Sequence, residues 1–201
     1  EVVRDFKTEN AGSHMLALSA DQKRLYCSNM GGNNATVFNF ETGEKIADIS
    51  TGTEAEGIGV NHDGKWLYVG NRAAHTISVI DTEKLEVVKK IDSPGFPYRV
   101  QFTPDGKKAL IPHAQSGELV ILDTTTHEII KRIKVGEGIE MAVAIASPAG
   151  VIAHPDNKHV FVTVRNDNSV LVIDLDSGKT LARVEVEVSP DGVSYSPVVG
   201  A

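Results

Sequence analysis

One nine-residue pattern returns four times along this chain and limits what it can fold into. It reads Asp21-Gln22-Lys23-Arg24-Leu25-Tyr26-Cys27-Ser28-Asn29, then Asp63-Gly64-Lys65-Trp66-Leu67-Tyr68-Val69-Gly70-Asn71, then Asp105-Gly106-Lys107-Lys108-Ala109-Leu110-Ile111-Pro112-His113, then Asp156-Asn157-Lys158-His159-Val160-Phe161-Val162-Thr163-Val164. The leading aspartates stand 42, 42 and 51 residues apart. Eighteen residues after each comes Asn39, Asp81, Asp123 or Asp174, closing an apolar run such as Ile77-Ser78-Val79-Ile80 or Val170-Leu171-Val172-Ile173. A charged run follows, such as Glu86-Val87-Val88-Lys89-Lys90-Ile91. A fixed period of this length means one small unit built repeatedly, each burying its apolar face on its neighbour.

Each unit predicts four short strands. Asp-Gly-Lys steps, Thr42-Gly43 and Ser177-Gly178 supply turn residues that tolerate positive φ. Val, Ile, Leu and Tyr fill the segments between them, and no window has helical periodicity. Four strands per repeat of this length is the pattern of a β-propeller blade. With strands labelled A (innermost) to D (outermost), the blades are expected at about 14–50, 56–92, 98–135 and 148–186. Glu1 to Lys7 reads as an additional D strand and Asp191 to Val199 as an additional A strand. These two cannot make a fifth blade together, because A and D lie at opposite edges and bonded strands must sit about 4.8 Å apart. The expectation is an all-β chain, one partial propeller domain over 1–201. It holds four complete four-stranded antiparallel blades with a flanking strand at each end, and is a fragment of a larger ring. Such an arc exposes two apolar blade faces, so self-association through its open edges is expected.

The forms Leu67-Tyr68-Val69-Gly70-Asn71, Ser78-Val79-Ile80-Asp81-Thr82 and Phe102-Thr103-Pro104-Asp105-Gly106 resemble the YVTN-type, YncE-like β-propeller repeat over nearly the whole chain. The Gly-His and Trp-Asp marks of WD40 blades are missing, as is the double Gly of kelch repeats. The only Trp, Trp66, lies inside a strand and not at the blade-closing position of quinoprotein repeats. The resemblance implies a ring of about seven blades and a periplasmic or extracellular location. It also implies a family with many roles, among them lactonases and propeller subunits of redox enzymes.

Composition narrows the functions. Twenty basic against 27 acidic residues give −7 with no block of like charge, so the basic footprint of nucleic-acid binding is missing and no nucleic-acid partner is expected. No apolar run reaches the roughly 18 residues of a membrane helix. Cys27 is the only cysteine, which rules out an internal disulfide and a Cys-rich metal site; its place between Tyr26 and Ser28 reads as core. The chain opens on Glu1-Val2-Val3 in what reads as mid-strand, so any targeting segment is expected upstream. Phosphate loop, nucleophile elbow and haem-attachment motif are all absent, and no cofactor is evident.

In a propeller the D-to-A and B-to-C connections emerge on one face, around the channel mouth, where loops on a rigid scaffold carry function. The register assigns two sets of residues there. His14, Glu56, Tyr98, Ala149 and Asp191 directly precede the A strands, with Arg99 one residue into its strand. Asn29, Asn71 with Arg72, His113, and Arg165 with Asp167 end the B strands. The functional reading is a shared mouth for a small molecule or protein: an anionic ligand held by Arg72, Arg99 and Arg165, or a metal held by His14, Glu56 and His113. The alternative is polar residues capping a water-filled channel. Pro112 removes a ladder donor ahead of His113, which predicts a bend near the end of that B strand. His62, His127, His154 and His159 fall on opposite-face turns or strand starts and read as surface residues.

The long interval leaves nine extra residues within Glu137 to Ser147, on the ligand face. Gly138-Ile139-Glu140-Met141-Ala142-Val143-Ala144-Ile145-Ala146 is apolar for a loop, which suits a lid or partner-docking element led by Ile139, Glu140 and Met141, or an added piece of buried strand. Two functions remain open: a binding scaffold, or a propeller enzyme whose acid–base or metal chemistry would come from His14, Glu56, His113 and Asp191.

Overall fold

The structure is a computed structural model that describes residues 2–136 and 148–196. Sixteen strands form four separate four-stranded antiparallel sheets, each in simple up-and-down order. The first holds β1 (Ser13–Leu18), β2 (Arg24–Asn29), β3 (Asn34–Asn39) and β4 (Lys45–Ser50). The second holds β5 (Ala55–Val60), β6 (Trp66–Asn71), β7 (Thr76–Asp81) and β8 (Glu86–Asp92). The third holds β9 (Gln101–Phe102), β10 (Lys108–His113), β11 (Glu118–Asp123) and β12 (Glu128–Lys134). The fourth holds β13 (Val151–Ala153), β14 (His159–Val164), β15 (Ser169–Asp174) and β16 (Thr180–Glu185). Apart from one 3-10 turn at Arg165–Asp167, the described residues contain no helix. None is long and apolar enough to cross a membrane.

The blades stack face to face in chain order, and this makes B and C strands apolar on both sides. Tyr26, Val37 and Ile49 meet Ile58, Val69 and Ile80 between the first two blades. Tyr68, Val79 and Ile91 meet Phe102, Ile111 and Leu122 between the second and third, and Leu110 and Ile121 meet Val160, Val162 and Ile173 between the third and fourth. Each such buried side chain contributes on the order of 1.5–3 kcal/mol. Near the axis the backbones themselves touch. A Cβ on Gly57 would lie 2.2 Å from the Tyr98 carbonyl oxygen, and one on Gly150 would lie 2.2 Å from that of Asp191.

The expected flanking strands are corrected in part. Residues 2–9 and 191–196 carry no strand, because neither finds its own blade's adjacent strand to bond to among the described residues. The C-terminal segment nevertheless keeps its place in the repeat. Thr163 Oγ1 donates to the Asp191 carbonyl at 2.9 Å, just as Ser28 Oγ donates to that of Glu56 at 2.5 Å, 28 residues on in both cases. The N-terminal segment instead covers the free face of the first blade. Phe6 packs edge-on to Phe38 at 5.4 Å and stacks on Phe40 at 6.0 Å, above Leu25 and Cys27.

The predicted bend at Pro112 is also corrected. β10 pairs in unbroken register with β11 to His113. The Pro112 carbonyl faces the A strand and accepts from the Tyr98 amide at 2.9 Å, so the missing N–H falls on that side as well. The neighbour bears the loss: β9 keeps two residues where β5 has six. Arg99, expected inside that strand, lies ahead of it.

Candidate functional site

A β-bulge sets the position of the mouth residue in each of the first two blades. In β1, Ser13 pairs with Asn29 and Met15 with Ser28, leaving His14 as the extra residue. In β5, Ala55 pairs with Asn71 and Gly57 with Gly70, leaving Glu56. In the third blade Pro97 bridges His113, so Tyr98 occupies the same position. A bulged residue is unpaired and turned away from the pleat. His14 and Glu56 were expected just ahead of their strands; they stand inside them, aimed by the bulge.

These side chains meet across the blades. His14 Nε2 lies 4.0 Å from Glu56 Oε1. Arg72 forms an ion pair with Glu56 Oε2 at 3.0 Å, at an angle too poor for a hydrogen bond, and donates from Nε to Glu54 at 2.8 Å. Its guanidinium also lies 4.8 Å from the Phe96 ring centre. Arg99 is centrally placed: it contacts Met15 of the first blade, lies over the Tyr98 ring, and donates to both Asp191 oxygens at 3.3 and 3.4 Å. Arg165 reaches Asp191 Oδ2 at 3.7 Å and donates to Ser189 Oγ at 3.1 and 3.2 Å. His14, Glu56, Arg72, Tyr98, Arg99, Arg165 and Asp191 therefore share one connected polar cluster.

Its electrostatics are uneven. Glu56 is 1% exposed, and burial pushes its carboxyl up to about 7, against the pull of Arg72 and Arg99. Burial and then the Arg99 charge lower the His14 imidazole below its ordinary value. Burial likewise raises the Tyr98 phenol, with Glu56 adding to it. By contrast the Asp191 side chain is 45% exposed, so the carboxylate that two arginines share is open to exchange.

The B-strand ends behave differently. Asn29, Asn71 and His113 are all fully buried. Asn29 donates to Asn34 and Thr36, and Asn71 to Thr76 and Ser78, tying B to C inside a blade. His113 Nε2 shares a hydrogen bond with Ser93 Oγ at 2.7 Å and Nδ1 with the Ile111 carbonyl at 2.9 Å. Burial drives its imidazole down to about 4. Both ring nitrogens are engaged, so His113 is a neutral interior group, and the expected metal set of His14, Glu56 and His113 is corrected. Among the described residues the only three His, Cys, Asp or Glu side chains with ligand atoms mutually within 4.8 Å are His154, Asp156 and His159.

Ile139, Glu140 and Met141 lie outside the described residues. Glu54, Phe96, Met15 and Ser189 were not anticipated. Glu54 and Ser189 carry φ of 56° and 63°, a turn conformation no sequence period announces. A cavity of about 810 Å³ under the N-terminal segment, lined by Val3, Phe6 and Phe40 together with Arg4, Asp21, Lys23 and Glu41, shares no residue with the mouth cluster.

A profile described as YncE-like β-propeller matches residues 6–146. The chain belongs to the YncE-like β-propeller family. Among solved structures, this YncE-like chain is similar to Kuenenia stuttgartiensis hydrazine synthase, with 26% identity and a TM-score of 0.76 over 90% of this chain and 51% of that one. It is also similar to dihydro-heme d1 dehydrogenase NirN in complex with DHE, with 19% identity and a TM-score of 0.75 over 92% of this chain and 39% of that one, a likeness of fold alone. The chain thus spans about half the length of one and under half of the other. No curated protein matches it.

Proposed function

We propose that this YncE-like chain is a binding scaffold whose ligand or partner docks at the channel mouth. The observation that carries the reading is that Arg99 and Arg165, from different blades, share the half-exposed Asp191. A carboxylate or phosphate-bearing ligand can displace Asp191 and take over both guanidiniums, whose planar forks suit such groups. Calorimetric titration with citrate and with inorganic phosphate tests this. Saturable binding lost in an Arg99→Ala, Arg165→Ala double variant is expected; binding that survives both substitutions would remove the arginines from the site. Export to the periplasm or cell surface rests on the family resemblance, and fractionation of the source cells checks it.

A second reading, a propeller enzyme, is favoured by Glu56 alone. A carboxyl poised near neutrality beside an imidazole suits proton transfer at physiological pH. It makes a lactonase-like hydrolysis or a role beside a redox enzyme chemically reasonable; the likeness to the dehydrogenase NirN lends fold-level support to the latter only. Lactone turnover that disappears in Glu56→Gln supports this reading, and turnover unchanged by that substitution excludes Glu56 as its acid–base group.

A further inference from the structure

On the face opposite the mouth, the turn entering β14 departs from the other three. In blades one to three the residue two before the leading aspartate is Ser19, Asn61 or Thr103, and its side-chain oxygen accepts the amide of the residue five positions on, at 2.9, 3.0 and 3.1 Å. Those later residues are Arg24, Trp66 and Lys108. In blade four both positions are histidine, His154 and His159, and the capping task passes to Asp156 Oδ1, which accepts the amides of Lys158 at 2.8 Å and His159 at 3.0 Å. Histidine at 154 is therefore not needed to cap residue 159.

We propose that His154, Asp156 and His159 form a binding site for a first-row divalent metal of the zinc class. Asp156 Oδ2 already lies 3.0 Å from His154 Nδ1 and 2.6 Å from His159 Nδ1. Ligand atoms around tetrahedral zinc stand about 3.3 Å apart, so a metal between them asks these two contacts to open by about 0.3 and about 0.7 Å. Two imidazoles and one carboxylate suit zinc, cobalt or nickel better than calcium or magnesium. Water completes the coordination, since all three side chains are about one-third exposed. The long 3.3 Å contact from the Asp156 amide to His154 Nδ1 is the one hydrogen bond that this ring gives up.

The surrounding chain holds the ligands ready. The His154 amide donates to the His159 carbonyl at 2.9 Å, and the Asn157 amide to the His154 carbonyl at 3.1 Å. Asn157 Oδ1 accepts the Asp105 amide at 2.9 Å, fixing the turn to blade three. The fixed Oδ1 of Asp156 points its other oxygen between the rings, the outer-shell orientation that metal carboxylates rely on. Tyr195 lies edge-on to His154 at 5.2 Å and limits its swing.

The repeat supplies variants suited to the fold. His154→Ser with His159→Arg installs the blade-one residues, and Asp156→Asn keeps the amide-accepting oxygen while removing the charge. The full chain, stripped with EDTA, is titrated calorimetrically with zinc chloride, and with cobalt(II) followed by visible absorption. One zinc per chain is expected, with affinity falling at least tenfold in each variant while the metal-free melting temperature changes little. If one variant does not fold, the other decides. Absence of saturable zinc binding, or wild-type affinity in a folded variant, overturns the proposal.

Discussion

Glu56 is a nearly dry carboxyl that the Arg72 guanidinium at 3.0 Å and the His14 ring at 4.0 Å hold imperfectly. Its raised pKa means the folded chain keeps a proton that the unfolded chain releases. The stability this group contributes is full below an ordinary glutamate's pKa of 4.5 and is lost as the pH rises through about 7. Glu56→Gln should therefore gain stability relative to the parent by about 2–3 kcal/mol more at pH 8 than at pH 5, as read by urea unfolding at both values; an equal difference at both would show that the carboxyl is not strained. His113 carries the opposite sign. With its imidazole held down to about 4, its contribution is complete above the unfolded value of 6.5 and fades as the pH falls from there towards 4. His113→Asn, which installs the blade-two residue, should flatten that acid loss by up to about 3 kcal/mol in the same assay. Position in the period placed both residues near the axis, but not which way each points. A bulge turns Glu56 to the mouth, while regular pairing turns His113 inward, and no property of the two residue types distinguishes these fates.

At the scale of the strand, the repeat made β2, β6, β10 and β14 legible almost residue by residue, because apolar runs buried on both sides leave little ambiguity. The A strands were harder. β9 and β13 are short and Gly57, Gly59 and Gly150 interrupt the apolar pattern where neighbouring backbones approach. Gly57→Ala should cost about 1–3 kcal/mol through the clash with the Tyr98 carbonyl, measurable as a lowered denaturation midpoint; an unchanged midpoint would mean that the blades part freely at the axis. Pro112→Thr, borrowing from blade four, restores the donor that β9 lacks. Slower amide hydrogen exchange across Arg99 to Phe102 is the expected result, and unchanged exchange would place the cause of the short strand elsewhere.

Over the whole molecule, the faces that end the stack differ from those inside it. On the first blade Leu16 is 61% exposed where its counterpart Ile58 is buried, and on the fourth Val184 is 51% exposed where its counterparts Ile49, Ile91 and Ile133 are buried. Phe6 covers only part of the former. Such faces are a drive to associate. Light scattering across a concentration series should show growth in mass that a Leu16→Lys, Val184→Lys variant suppresses; a parent chain that stays monomeric at all concentrations would refute this. The open stack followed from counting strands. That the added segments would form no ladder did not follow, since strand propensity says nothing of whether a partner is within reach.

The bulge at the head of β1 and of β5 separates two demands that usually compete. The extra residue takes no part in the ladder, so its chemistry is released from the duty of pairing. His14, Glu56, Tyr98, Ala149 and Asp191 are five different answers at one repeated position of the sequence, and the first two stand on bulges in six-residue strands. A duplicated unit of this kind can diversify one socket at a time. Exchanging His14 and Glu56 between the first two blades is thus a route to new recognition at the mouth that leaves the hydrogen-bonded frame untouched.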